Sequence, residues 1–149
     1  MSTRVRALPF DALTRHELYA ILHLRDLVFV VGQGITAVPE VDGLDPECVH
    51  MMLEDEHGRL LGTARCFADR TPVSVGRVAI HPDHQRRGLG TVLMRAVQEW
   101  LDGRDAELHA QAHLEDWYAS LGWVRDGASF LEARIPHVTM RWSGTSAHA

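Results

Sequence analysis

Residues 77–92, RVAIHPDHQRRGLGTV, constrain the fold more than any other part of the chain. They open as an apolar strand (RVAI), break at HPDH, pass two arginines and two glycines one residue apart, and lead into an apolar-periodic segment. Over residues 88–101, Leu89, Val92, Leu93, Ala96, Val97 and Trp100 fall at i, i+3, i+4, i+7, i+8 and i+11. That spacing predicts an amphipathic helix. A strand that feeds such a helix through a glycine loop needs a sheet to carry it, and the helix must lay its stripe on that sheet.

The flanking segments supply the sheet. Residues 3–8, TRVRAL, alternate as a strand. Thr14 and Glu17 form a T-x-x-E capping box before Leu18, Ile21, Leu22 and Val28 at helical spacing, with Arg25 on the same side and the helix ending near Val31. GQGITAVPEVDGLDPE is turn-rich and acidic, a long loop or a broken helix. CVHMMLED, LLGTARCFA and TPVSVGRVAI read as strands, the first two joined by a hairpin at EHGR. After the helix come a strand (AELHAQAH), a short helix (LEDWYASLG) with Gly122 as its C-cap, and two last strands, WVRDGASFLEA and HVTMRW. The order describes a mixed α/β sheet with a βαβ unit in the middle. A length of 149 residues fits one domain, expected over 1–142, with the small polar tail 143–149 frayed.

A net charge of −5 argues against a general nucleic-acid binder, so the Arg86-Arg87 pair stands out locally. No apolar run reaches about 18 residues, and the N-terminus lacks a signal-peptide core, so a cytoplasmic location is expected. Cys48 and Cys66 lie in strand segments; a disulfide is one reading and two buried thiols the favoured one. Trp123 and Trp142 hint at a homodimer surface, with core packing as the alternative.

The glycine loop can bind an anion. The first amides of a helix have no intrahelical partner, and the helix dipole adds partial positive charge there. A Walker loop needs a lysine after its second glycine, and here Thr91 follows Gly90. The dinucleotide fingerprint needs a third glycine, and none stands at the required spacing. ATP, GTP and NAD are therefore disfavoured. Taken alone, a bare G-x-G also fits an ordinary βα turn.

The match is longer than the glycines. VAIHPDHQRRGLGTVLM resembles motif A of the GNAT superfamily of acyl-CoA N-acyltransferases, whose core Q/R-x-x-G-x-G/A corresponds to Gln85-Arg86-Arg87-Gly88-Leu89-Gly90. WYASLGW resembles that family's Y-x-x-x-G-F element. LHLRDLVFVVGQ, EVDGLD, GTARCF, GRVAI, AQAHLEDWYASLGW and IPHVTM together resemble the ElaA-like branch over about residues 18–142. Three departures occur: Gly32 replaces a common glutamate, Arg134 stands where a glycine often precedes I-P-H, and the fourth strand lacks the glutamate many members use as a base.

The resemblance implies a GNAT fold, mostly antiparallel with helices on both faces, and acetyl-CoA as co-substrate. It implies that Gln85, Arg86, Arg87, Gly88, Leu89, Gly90 and Thr91 hold the pyrophosphate. Val78, Ala79 and Ile80 would line the pantetheine arm and the thioester, and Gln111 would touch the coenzyme. Tyr118 would donate to the leaving thiolate. His137 is a candidate base or acceptor ligand, because histidine as a residue type suits proton transfer near working pH. Glu40, Asp42 and Asp45 lie where the family builds its acceptor pocket and could bind a cationic amine, or be solvated turn residues. Arg65 and Arg77, charged inside predicted strands, call for acidic partners from that loop. The ten histidines show no zinc spacing, and no metal is expected. The expected activity is direct acetyl transfer to a primary amine of a small molecule. The alternative is a non-catalytic acyl-CoA-binding module.

These readings predict that coenzyme A stabilises the protein and ATP does not. At a hundredfold excess over Kd, coenzyme A should raise Tm by about 5–10 °C in a thermal-shift comparison.

Overall fold

The computed structural model describes residues 2–144. The βα unit read from the glycine loop lies at the centre of one sheet. The strands are β1 (Thr3–Pro9), β2 (Val49–Asp55), β3 (Leu60–Phe67), β4 (Val73–Ile80), β5 (Ala106–Gln111), β6 (Val124–Arg125), β7 (Phe130–Glu132) and β8 (Ile135–Trp142). Their order is β1-β2-β3-β4-β5-β8-β6, with β7 also pairing β8. Only β4 and β5 run parallel. The helices are α1 (Arg15–Arg25), α2 (Leu89–Leu101) and α3 (Glu115–Ser120).

Helices cover both faces, as the resemblance implied. On one, the α2 stripe of Leu89, Leu93, Met94, Val97 and Leu101 packs with Met51, Leu53, Leu61, Val75 and Leu108. α3 joins this apolar layer through Tyr118. Trp123 and Trp142 are buried in the same layer, so they are core residues and not an exposed dimer surface. On the other face, Leu24 of α1 and Val28 meet Ala79 and Leu60. The capping box forms: Glu17 N–H donates to Thr14 Oγ1 at 3.1 Å and Thr14 N–H to Glu17 Oε1 at 2.9 Å. Beyond α1 the helix widens into a π-helical segment over Asp26–Gly32.

The expected strand WVRDGASFLEA is two short strands, β6 and β7. Asp126 and Gly127 part them, Gly127 with φ +96°, as an Asp-Gly turn does. β7 returns to β8 through Ala133 and Arg134, both left-handed with φ +50° and +65°. This explains why a glycine suits the position before I-P-H: Arg134 adopts a conformation glycine takes at no steric cost. Cys48 and Cys66 are free and buried, and burial pushes their thiols up to about 11 and about 12. Of the expected frayed tail, Gly144 N–H donates to Asp105 Oδ1 at 2.9 Å; residues 145–149 lie outside the described residues. Among the described residues no helix is long and apolar enough to cross a membrane.

The α1 face also carries a buried ion network. Arg25, 1% exposed, reaches Glu40 Oε2 at 2.8 Å and Asp45 Oδ1 at 2.6 Å. Arg65 holds Asp42 Oδ2 at 2.6 Å and Asp45 Oδ1 at 3.1 Å. Arg77 Nε lies 2.8 Å from Glu40 Oε2, an ion contact without the angle of a hydrogen bond. These are the acidic-loop partners that Arg65 and Arg77 called for. The Arg65 hydrogen bond holds the Asp42 carboxyl well below its ordinary range. Burial pushes Asp45 up, but Arg25 and Arg65 outweigh it and the carboxyl ends lowered. The network fastens residues 40–45 to β3 and β4.

Breaking a buried pair by removing one partner costs about 3–5 kcal/mol, and Arg65→Met should lose that much in urea unfolding at pH 7. Because the Asp42 and Asp45 pKa values lie below their unfolded value of ~3.9, the network's contribution is full above about pH 4 and is lost as pH falls below it. Repeating the measurement down to pH 3 should therefore show a shallower acid loss in Arg65→Met than in the wild type.

Candidate functional site

β4 and β5 stay together only at Val73–Ala106, Ser74–Glu107 and Val75–Leu108. The next residues of β4 form a β-bulge. Gly76 faces Arg65 and Ala79 faces Thr63, so Arg77 and Val78 oppose the single residue between. Arg77 adopts φ +50° there. The two strands part beyond this point and leave a gap. His81 N–H donates to Leu61 O at 2.8 Å, so by strand alternation the main-chain groups of Ile80, and of Val78 at the bulge, turn away from β3 and toward the gap. Gln85 Nε2 donates to Ile80 O at 3.3 Å. Ala79 differs from its neighbours: it pairs with Thr63, and its side chain packs under α1.

The loop after β4 turns twice through the left-handed region, at Arg86 (φ +64°) and Gly88 (φ +74°). Val92 N–H makes the first bond of α2, to Gly88 O at 3.2 Å. The amides of Leu89, Gly90 and Thr91 precede it, and no side chain caps this end. They form an open cluster of donors at the positive end of the helix dipole. Arg86 and Arg87 are exposed beside it. The Leu89 side chain is buried in the core, so this residue can offer only its amide.

The two glycines do different work. A Cβ at Gly88 would meet open space, and only its left-handed backbone demands glycine. A Cβ at Gly90 would come 3.2 Å from Trp117 Cζ2. Gly90 therefore lets Trp117 of α3 lie against the first turn of α2. The Trp117 ring meets Tyr118 edge-on at 4.7 Å. Tyr118 is 5% exposed, and no hydrogen bond of its hydroxyl occurs among the described residues. Burial pushes its phenol above the ordinary value, so it keeps its proton.

The opposite face of β5 is polar. Leu108 and Ala110 point into the α2 layer, so His109 and Gln111 point the other way. Gln111 Nε2 donates to Gln33 Oε1 at 2.9 Å, tying β5 to the end of the π-helical segment. His137 pairs in register with Gln111 on one side and Phe130 on the other. Its Nδ1 lies 2.7 Å from Ile135 O; a carbonyl only accepts, so Nδ1 carries the proton. Its Nε2 lies 3.6 Å from Glu132 Oε2. The other oxygen of Glu132 accepts from His109 Nδ1 at 2.9 Å.

The structure thus gathers Val78, Ile80, Gln85 and the amides of residues 89–91 along the gap, with Tyr118 in the α2 layer and Gln111 and His137 on the far face. The acidic loop differs from its expected use. Glu40, Asp42 and Asp45 are engaged by three guanidinium groups, and Asp45 is 4% exposed, so in this structure they serve the ion network. Glu132 and His109 were missed. The alternation of β5 placed His109 beside Gln111, but Glu132 joins them only through the tight β7–β8 turn.

Residues 44–143 match the acetyltransferase (GNAT) domain family. A UPF0039 protein of Schizosaccharomyces pombe is 38% identical over 138 residues, spanning 89% of this chain and 91% of that protein. The crystal structure of an acyl-CoA N-acyltransferase from Pseudomonas aeruginosa is 39% identical with a TM-score of 0.82, covering 94% of this chain and 99% of that one. Escherichia coli ElaA is 29% identical with a TM-score of 0.83 over the same shares.

The loop geometry predicts separable effects of its glycines. Gly88→Glu should fold, at a cost of about 1–2 kcal/mol for a left-handed side chain, and lose measurable coenzyme A binding in calorimetry. Gly90→Ala should weaken binding and also displace Trp117, seen as a change in tryptophan fluorescence.

Proposed function

This chain belongs to the GNAT acetyltransferase family, and on that premise we propose that it transfers the acetyl group of acetyl-CoA directly to a primary amine of a small molecule. One observation carries the reading. The gap between β4 and β5 joins an open cluster of helix amides on one face to a polar cluster on the other. The 39% identity to a protein described as an acyl-CoA N-acyltransferase supports the choice of donor.

In this reading the amides of Leu89, Gly90 and Thr91, with Arg86 and Arg87, bind the coenzyme's pyrophosphate. The main-chain groups of Val78 and Ile80 that turn away from β3 hold the pantetheine arm and orient the thioester in the gap, with Gln85 Nε2 on the Ile80 carbonyl giving way to the coenzyme. An amide there stabilises the carbonyl oxygen as it gains charge, a contribution of about 2.7–4 kcal/mol. The amine approaches from the far face, and placing both reactants in one complex supplies much of the barrier reduction. Tyr118 donates a hydrogen bond to the departing sulfur. Its phenol lies above ~10 and a thiol near ~8.5, so the hydrogen bond stabilises the thiolate without full proton transfer. Cys48 and Cys66 take no part, since both are buried, Cys48 just before β2 and Cys66 in β3, with raised thiols.

Release of free thiol from acetyl-CoA across a panel of primary amines tests the activity. Tight coenzyme A binding with no release for any amine would leave only a binding module. Tyr118→Phe should keep coenzyme A affinity and lower kcat about 10- to 100-fold, the worth of one hydrogen bond to a charged group.

A further inference from the structure

The geometry points to Glu132 and His137 as the pair that receives the acceptor's ammonium group and takes its proton, an assignment that rests on the acyl-transfer reading above. The His137 side chain is 9% exposed. Its Nδ1–H is fixed on Ile135 O at 2.7 Å, which leaves a lone pair on Nε2. In the neutral ring that lone pair faces Glu132 Oε2 at 3.6 Å, beyond hydrogen-bond distance. Two acceptors held face to face call for a donor that bridges them.

The pair is held in place. His109 Nδ1 donates to the other Glu132 oxygen at 2.9 Å and fixes the carboxylate. The Phe130 ring stacks on His137 with centroids 6.2 Å apart and meets His109 edge-on at 5.0 Å. The charged or titratable groups facing His137 are Glu132 from β7 and, through it, His109 from β5; its register partner Gln111 is neutral. The guanidiniums of Arg25, Arg65 and Arg77 are engaged by Glu40, Asp42 and Asp45. No set of three His, Cys, Asp or Glu side chains among the described residues is placed to share a metal ion.

The location suits an acceptor. His137 pairs with Gln111, so it lies one strand spacing, about 4.8 Å, from the strand that borders the gap. It shares the face of Gln111 and Gln33, opposite the α2 layer. An alkylammonium carries three N–H donors, enough to bond Nε2 and Oε2 together. One proton passes from the ammonium to Nε2. The imidazolium so formed is held by Ile135 O at Nδ1 and by Glu132 at Nε2. The freed nitrogen lone pair forms the C–N bond as the carbonyl pair moves to oxygen. Collapse breaks the C–S bond, its electron pair leaving with sulfur, and a second nitrogen proton ends on the thiolate. The proton on His137 leaves to solvent past half-exposed Glu132. The balance is ammonium plus acetyl-CoA giving amide, coenzyme A thiol and one proton.

The test uses the full chain with n-butylammonium as probe, followed by the ring-nitrogen NMR signals of His137. Expected are a saturable shift with n-butylammonium, none with tetramethylammonium (which has no N–H), and at least tenfold weaker binding in Glu132→Gln. Glu132→Gln should also raise KM for the amine in thiol release while coenzyme A affinity stays unchanged, and Glu132→Asp should recover part of the loss. Equal butylammonium binding in Glu132→Gln and wild type, or equal binding of tetramethylammonium, would overturn the assignment. Butylammonium bound at His137 with no thiol released for any amine would keep the ammonium site and overturn the transfer reading instead.

Discussion

Arg77 joins the two halves of the molecule. Its backbone takes a left-handed turn, φ +50°, in a strand where most residues are extended. That conformation costs about 1–2 kcal/mol for a residue with a side chain. The Nε contact with Glu40 at 2.8 Å and the Nη2 bond to the Glu40 carbonyl at 3.3 Å offset it. The bulge so stabilised turns β4 away from β5. The gap follows from the bulge, and it is toward the gap that the main-chain groups of Val78 and Ile80 turn. The loop that β4 delivers to α2 then lies beyond the point where the two strands have parted.

The sheet divides its labour by face. The α2 and α3 face is an apolar layer, and it positions the helix amides and Tyr118 rigidly. The α1 face is polar at its centre, where three arginines and three carboxylates neutralise one another under the loop. A network of this kind contributes less to net stability than its contacts suggest, because desolvation opposes the Coulomb gain. Its value here is placement: it holds residues 40–45 against the bulge. The carboxylates of the acidic loop are thereby engaged by Arg25, Arg65 and Arg77. The acceptors that face each other on this face beside Gln111 belong to Glu132 and His137.

Much of the fold was legible in local patterns. The 3.6-residue stripe of α2, the Thr14–Glu17 box and the alternation of β1 and β5 are local signals, and they agree with the structure within a few residues. The phosphate loop was legible too, because glycines at a helix start leave amides exposed wherever the helix packs. Residues 123–133 were not, since the Asp-Gly turn interrupts a segment whose apolar content alone reads as one strand. The tryptophans were left between a dimer surface and the core for a related reason: a large aromatic carries no sign of which layer will cover it.

What the sequence by itself determined is the set of local elements and the anion-binding loop, because periodicity, caps and glycines act over a few residues and need no distant partner. The tertiary structure alone decided which charged groups remain open. Glu40, Asp42 and Asp45 read as acceptor-pocket or turn residues while Arg65 and Arg77 called for partners from the same loop, and the folded strands chose each pairing; Glu132 looked incidental until a two-residue turn set it against His137. Electrostatic partners are chosen by distance in space, over tens of residues of chain, and no spacing along the sequence records that choice.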